Sequence, residues 1–183
     1  MVERETYAIE LAGLRRELPL FEVKPGLKIA ILNILGDTPL VEACAEALAH
    51  QSRDRDFDVI VTAESKSIPL AYAMSVRLNK PYVVLRKVYK FYMGEALKAQ
   101  TLSITTGEPQ TLYLDEKDHR LLRGKKVMIL DDVISTGSTL EGMRSLMEQA
   151  GATVTVEAAI CTEGDLARWN GIVALAHLPL FEE

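Results

Sequence analysis

Little in this chain invites the chemistries that short sequences most often advertise. Its two cysteines stand at 44 and 161, and its three histidines, at 50, 119 and 177, are scattered among unrelated segments. No Cys-x-x-Cys or Cys/His cluster exists, which argues against a structural zinc. Cys44 and Cys161 have apolar neighbours and read as buried free thiols in a reducing compartment. No Ser-His-Asp order offers a hydrolytic triad. The N-terminus lacks a cationic-then-apolar leader, and no apolar run approaches membrane-spanning length, so the expected location is cytoplasmic and no membrane partner is expected. Positive charge is also short. There are 21 Lys and Arg against 26 Asp and Glu, a net charge of −5, which disfavours a broad nucleic-acid surface. What remains is an ordinary globular composition, 48% hydrophobic and 26% charged, in 183 residues. That length supports one substantial core. With no repeat, low-complexity tract or linker, residues 1–183 read as a single domain.

The most informative stretch runs from Lys126 to Thr139. Val127-Met128-Ile129-Leu130 is a short bounded apolar run that suits a buried parallel strand, and it ends in Asp131-Asp132. Leu140, Met143, Leu146, Met147 and Ala150 then recur at helical spacing, with Gly151 at a C′-like position. The segment between, Ser135-Thr136-Gly137-Ser138-Thr139, opens a helix whose free N–H groups favour an anion, with hydroxyl donors that add little bulk. It is a candidate cradle for one phosphate. Asp131 and Asp132 would repel that phosphate and better suit a sugar diol, or a Mg²⁺ that the ligand carries. No Gly-Lys-Ser/Thr follows a spaced glycine, so the Walker loop is excluded.

The rest of the chain alternates strands and helices. Tyr7, Ile9, Leu11 and Leu14 suggest a short helix or strand that Leu18-Pro19-Leu20-Phe21 breaks. Pro25-Gly26 is read as a turn, followed by an extended piece from Leu27 to Leu35. Asp37-Thr38-Pro39 predicts a helix start with Thr38 as cap, and Leu40, Cys44, Ala47 and Leu48 form its buried stripe. A strand over 57–62, a polar loop at 63–67, a helix over 68–78 and a strand over 82–85 make a βαβ unit. Extended segments near 101–105 and 110–114 flank Thr106-Gly107-Glu108-Pro109 as a hairpin with an exposed, mobile tip. Strands near 153–160 and 172–176 follow, joined by a short helical piece around Leu166-Ala167-Arg168-Trp169. This order implies an α/β open sheet with parallel strands. Ligands bind such sheets outside the carboxyl ends of the strands, where the polar loops 63–67, 86–90 and 131–139 converge.

The apolar strand, the two acidic residues and the Thr-Gly-x-Thr loop together resemble the phosphoribosyl pyrophosphate signature of the type I phosphoribosyltransferases. The resemblance implies a Rossmann-like fold with a small hood, formed by about 1–36 and 161–183, and a flexible β-hairpin that closes over the reacting centre. It implies that Asp131 and Asp132 hold the ribose hydroxyls and act in catalysis, touching Mg²⁺ indirectly, and that Ser135, Thr136, Gly137, Ser138 and Thr139 hold the 5-phosphate. The loop Ala63-Glu64-Ser65-Lys66-Ser67 occupies the place of the family's pyrophosphate loop, where purine members often show Glu-Ala-Arg-Gly or Glu-Ala-Ser-Gly. Lys66 can supply an arginine's charge but not its planar fork, and Ser67 replaces a glycine. Arg86-Lys87 with Lys90 resembles the Arg-Lys-x-x-Lys of adenine and xanthine enzymes, cations suited to a departing pyrophosphate.

For the base, Lys24-Pro25-Gly26 and Asp37-Thr38-Pro39-Leu40 resemble pieces of adenine enzymes, and Asn33 resembles a base-reading Asn of xanthine enzymes. Glu163, an acceptor that suits an amino group, stands near the xanthine enzymes' basic residue. Both residues are therefore base-binding candidates, and the lack of a basic donor tilts the reading to adenine. Trp169 is expected to pack in the hood. The resemblance thus implies a homodimeric purine phosphoribosyltransferase of the purine branch, using phosphoribosyl pyrophosphate, a purine base and Mg²⁺. The alternatives are a phosphoribosyltransferase for xanthine or another base and, from another class, a regulator that keeps the fold to sense phosphoribosyl pyrophosphate.

Overall fold

The computed structural model describes residues 4–102 and 109–182. In chain order its strands and helices are β1 (Thr6–Leu11), β2 (Leu14–Lys24), β3 (Leu27–Ala30), α1 (Thr38–Ser52), β4 (Val59–Ala63), α2 (Ile68–Leu78) and β5 (Tyr82–Leu85). There follow β6 (Leu97–Leu102), β7 (Pro109–Leu114), α3 (His119–Leu122), β8 (Lys126–Ile134), α4 (Ser138–Gln149), β9 (Thr153–Glu163), β10 (Val173–Leu178) and β11 (Phe181–Glu182).

Five parallel strands in the order β10-β9-β8-β4-β5 make the central sheet, the expected α/β arrangement. In β8, Met128 and Leu130 join the buried cluster of α1 and α2, while Val127 and Ile129 join that of α4. The period of two thus serves two covered faces at once, which is why the run reads as continuously apolar. A second sheet, β1-β2-β3-β11, is antiparallel and contributes Leu11, Leu18 and Leu20 to the α1/α2 cluster. The hairpin β6–β7 lies against α4, where a Cβ at Gly142 would come 2.3 Å from Thr101 Cγ2. Residues 103–108, which include Thr105 and the tip Thr106-Gly107-Glu108, lie outside the described residues.

Several expected boundaries shift. Residues 6–24 form a strand hairpin, turned by Ala12 and Gly13 with φ of 49° and 80°, as a tight hairpin turn requires. The break expected at Leu18–Phe21 is absent because Pro19 is the last residue paired with β1 and Leu20 the first paired with β3. The missing N–H therefore falls where one ladder hands over to the other, while the Pro19 carbonyl still accepts from Ile31 N at 3.0 Å. The strand expected over 27–35 stops at Ala30. Beyond it, Lys66 Nζ takes the Leu32 carbonyl and Asn33 Oδ1 takes the Leu35 N–H, side-chain bonds in place of a ladder. In the first stripe Ala47 is only half-buried, and Val41 and Ala45 are buried instead. The strand expected over 57–62 starts two residues later. β6 starts earlier than expected, at Leu97, β9 runs on to Glu163, and β10 is shifted to 173–178. β11, too short to show periodicity, had no signal in the sequence.

The α1 cap is Asp37 rather than Thr38. Its Oδ1 accepts from Leu40 N at 3.2 Å, and both its oxygens are held by Arg16 of β2, at 2.6 and 2.9 Å. The Arg16 guanidinium holds the Asp37 carboxyl below its ordinary range. One carboxylate therefore caps the first helix and clamps the antiparallel sheet to it. Replacing Asp37 by Ala is expected to cost about 2 kcal/mol in urea unfolding at pH 7. An unchanged midpoint and slope would show that this clamp is idle.

Candidate functional site

β8 does not end at its carboxylates. The strand continues through Asp131 and Asp132 to Ile134, paired with β9, so the loop expected from 131 begins only at Ser135. Burial leaves Asp132 only 6% exposed, while Asp131 keeps an accessible edge although protein surrounds it closely. Two adjacent carboxylates in such a place need donors. Ser67, buried at the N-terminus of α2, supplies the first, its hydroxyl donating to Asp131 Oδ1 at 2.7 Å. The same hydroxyl oxygen accepts from Asp132 N at 3.0 Å, and that N–H is also 2.9 Å from Asp131 Oδ1. A glycine at 67 could do neither. Lys66 supplies the charge, its Nζ 3.0 Å from Asp132 Oδ2 and 3.2 Å from the Leu32 carbonyl. The ammonium pairs with Oδ2 as a charge but not along a hydrogen-bond direction, so this buried oxygen has no hydrogen-bond donor among the described residues.

Burial, and then the charge of Asp132, push the Asp131 carboxyl up to about 7.

The helix-opening loop follows. Gly137 has φ of 86°, which only glycine adopts without strain, and α4 begins at Ser138. Thr136 Oγ1 and Ser138 Oγ are 3.1 Å apart. Among the described residues, no protein acceptor takes the N–H groups of Thr136, Gly137 or Thr139. They can serve an anion. Ser135 is committed differently, since its hydroxyl donates to Glu163, a residue 3% exposed at the end of β9. Burial raises the Glu163 carboxyl above its ordinary range, against the Ser135 hydrogen bond.

In the loop 63–67, Glu64 accepts from Arg86 Nε at 2.5 Å and from Lys87 N. Burial alone would raise this carboxyl, but those donors outweigh it and hold it below the ordinary range. The Glu64–Ser65 peptide is cis. Glu64 thus stitches the 63–67 and 86–90 loops together. Lys87 and Lys90 are exposed, with no side-chain partner among the described residues.

Two cavities adjoin here. One, about 310 Å³, is lined by Ile29, Lys66, Asp132, Ser135, Ser138 and Thr139 among others. The next, about 430 Å³ and more apolar, lies between β2–β3 and the segment after β9, lined by Val23, Leu27, Glu163, Asp165, Arg168 and Leu180. They share Ile29, Ser135, Thr136 and Glu163. Asn33 lines neither, being exposed with its Oδ1 on Leu35 N, and Arg86 lines a separate hollow beside β5. Trp169 is not part of the antiparallel sheet's packing as expected. It belongs to the cluster beneath α4, where its ring lies against Gly137. Sequence reasoning also passed over the Lys66–Asp132 pair and Arg168, because pairing across loops leaves no local pattern.

Among the described residues, no group of three or more His, Cys, Asp and Glu could hold a metal ion, and no helix is long and apolar enough to cross a membrane. Cys44 and Cys161 are buried free thiols, and burial lifts both, to about 11 and about 12.

Residues 32–166 match the family model described as "Phosphoribosyl transferase domain". The chain is 29% identical over 166 residues to the purine biosynthesis transcriptional repressor PurR of Bacillus subtilis, covering 88% of this chain and 58% of that protein. It is 39% identical over 115 residues to the hypoxanthine/guanine phosphoribosyltransferase of Methanococcus voltae, covering 63% and 58% respectively. It is 28% identical over 172 residues to the adenine phosphoribosyltransferase of Thermosipho africanus, covering 91% and 98%. The chain thus spans little more than half the length of the first two relatives and nearly all of the third. Among solved structures, the adenine phosphoribosyltransferase of Thermoanaerobacter pseudethanolicus superposes with a TM-score of 0.72 at 23% identity, over 87% of this chain and 95% of that one. The enzyme of Giardia lamblia complexed with 9-deazaadenine gives the same TM-score at 20% identity, over 87% and 93%. At these identities the likeness is one of fold.

The raised Asp131 carboxyl has a consequence for stability. A group that binds its proton more tightly when folded contributes fully at acid pH, and that contribution is lost as pH rises through about 7. Asp131→Asn keeps an acceptor for Ser67 Oγ and Asp132 N while removing the charge. Its melting temperature is expected to exceed the parent's at pH 8 and to match it more nearly at pH 5, read by a thermal-shift series. A difference independent of pH would refute this account of the pair.

Proposed function

Since the chain belongs to the phosphoribosyl transferase domain family, in its purine branch, we propose that it is a purine phosphoribosyltransferase, working as a homodimer of single-domain chains on phosphoribosyl pyrophosphate and a purine, with adenine favoured. One observation carries the reading. Asp132, the α4-loop residues Thr136 and Thr139, and the Lys66 ammonium border a cavity that continues into a second, more apolar one, and Asp131 and Gly137 line a small hollow of about 90 Å³ against the same loop. A sugar phosphate suits the first and a flat heterocycle the second.

In this reading the N–H groups of Thr136, Gly137 and Thr139, with the Thr136, Ser138 and Thr139 hydroxyls, take the 5-phosphate. Asp131 and Asp132 accept from the ribose hydroxyls. Loop 63–67, with Lys66, and the cations Arg86, Lys87 and Lys90 take the pyrophosphate. A purine nitrogen attacks C1′ while the C1′–pyrophosphate bond breaks, the purine's N–H proton passes to the departing pyrophosphate or to water, and the carboxylates stabilise the positive charge that develops on the sugar. Glu163 faces the base cavity as an acceptor for an amino group, which supports adenine. Oδ2 of Asp132, buried without a hydrogen-bond donor among the described residues, fits a cation or hydroxyl brought by the ligand. Mg²⁺ would be held mainly by the co-substrate's oxygens and water, with Asp131 and Asp132 touching it indirectly. Bound with the co-substrate, Mg²⁺ would supply charge neutralisation to the departing pyrophosphate.

The second reading is a regulator responsive to phosphoribosyl pyrophosphate. Its support is the PurR repressor of Bacillus subtilis, similar over 88% of this chain.

The deciding experiment is pyrophosphate release from phosphoribosyl pyrophosphate and Mg²⁺, with adenine, hypoxanthine, guanine, xanthine, uracil and orotate offered separately. Turnover with adenine is expected. Asp132→Asn should lower it by roughly a hundredfold, as loss of a charge aimed at a developing cation does, with little change in melting temperature. Silence with every base, together with Mg²⁺-dependent binding of phosphoribosyl pyrophosphate, would favour the regulator.

A further inference from the structure

The end of β9 and the segment that follows it touch the α4 loop at three consecutive residues. Glu163 takes the Ser135 hydroxyl, Arg168 Nη2 donates to the Thr136 carbonyl at 3.0 Å, and the Trp169 ring lies against Gly137. A Cβ built on Gly137 would come 2.9 Å from Trp169 Cη2 and 3.4 Å from Cζ3. The segment is itself fixed. Trp169 Nε1 donates to the Glu163 carbonyl at 2.8 Å, the Arg168 guanidinium lies 4.9 Å from the Trp169 ring centroid, and Trp169 is only 9% exposed.

The Thr136 contact has a geometric consequence. The Thr136 carbonyl and the Gly137 N–H belong to one planar, trans peptide unit and point in opposite directions. Fixing that carbonyl on Arg168 therefore turns the Gly137 N–H the other way, where no acceptor among the described residues takes it. The positive φ of Gly137 leaves its backbone more freedom than another residue would have, so the orientation needs an outside restraint. Trp169, with its Cη2 and Cζ3 against the glycine, supplies steric restraint, and Arg168 supplies the polar one.

We propose that Arg168 and Trp169 are positioning residues, holding the Thr136–Gly137 peptide so that its N–H faces the anion of a sugar phosphate. This rests on the reading of the α4 loop as a phosphate cradle. Neither residue need touch the ligand. Arg168 is exposed, so its hydrogen bond and its stacking on Trp169 add little to global stability. Its effect falls instead on the preorganisation of one donor.

The test is calorimetric titration of the full chain with ribose 5-phosphate and, separately, with pyrophosphate and Mg²⁺. Arg168→Ala and Trp169→Leu are expected to weaken ribose 5-phosphate roughly tenfold, the worth of one well-aimed N–H to a charged oxygen. Both should leave pyrophosphate unchanged, since loop 63–67 lies on another strand. Arg168→Lys and Trp169→Phe should restore most of the loss. Arg168 is exposed, so Arg168→Ala is expected to fold and keeps the test decisive if Trp169→Leu does not. Unaltered ribose 5-phosphate affinity in Arg168→Ala overturns the proposal, as does equal weakening of both ligands. A parent protein that binds pyrophosphate but no ribose 5-phosphate overturns the cradle reading itself, and the inference with it.

Discussion

One oxygen organises the centre of this molecule. Ser67 Oγ donates to one carboxylate of β8 and accepts from the backbone of the next, so the start of α2 is fixed to the end of β8. The pairing of β4 with β8 brings the two elements side by side, and buried Thr62 adds a bond to the Leu130 carbonyl one step earlier. Lys66 then offsets part of the charge while reaching the Leu32 carbonyl, beyond the antiparallel sheet. A desolvated pair of like charges is costly, and the fold tolerates it because three segments distant in sequence meet there. Such an arrangement keeps two carboxylates ready for a ligand that can satisfy them better than the protein does.

The parts of this design that were legible in the sequence were those governed by local periodicity. α2 and β5 occupy the expected residues, and the α4 stripe and Gly151 fell where helical spacing put them. The parts that were not legible depend on partners far along the chain. Pro19 reads as a break until two different ladders are seen to meet beside it. Thr38 looks as good a cap as Asp37 until Arg16 is brought opposite the aspartate. The end of β8 reads as a loop because acidic residues are poor strand formers, yet pairing with β9 carries the strand past them.

The candidate site divides in the same way. The loop 135–139 announces itself through its small residues and its place before a helix. Ser67 reads as a departure from a glycine because its hydroxyl's partners lie 64 and 65 positions away. Glu163 stands where the two cavities join, whereas Asn33 spends its side chain on its own backbone. Residues that recognise a base are chosen by the shape of a wall built from several elements, and no short stretch of sequence encodes that wall.

The contact at Gly142 has a mechanical meaning. Because a side chain there would collide with Thr101 and crowd Leu112, the β6–β7 stem lies directly on the helix whose first turn carries the Ser138–Thr139 end of the anion-binding loop. Stem and helix thus bear directly on one another, and a side chain larger than glycine at 142 would push the stem away from the helix that carries the anion-binding loop.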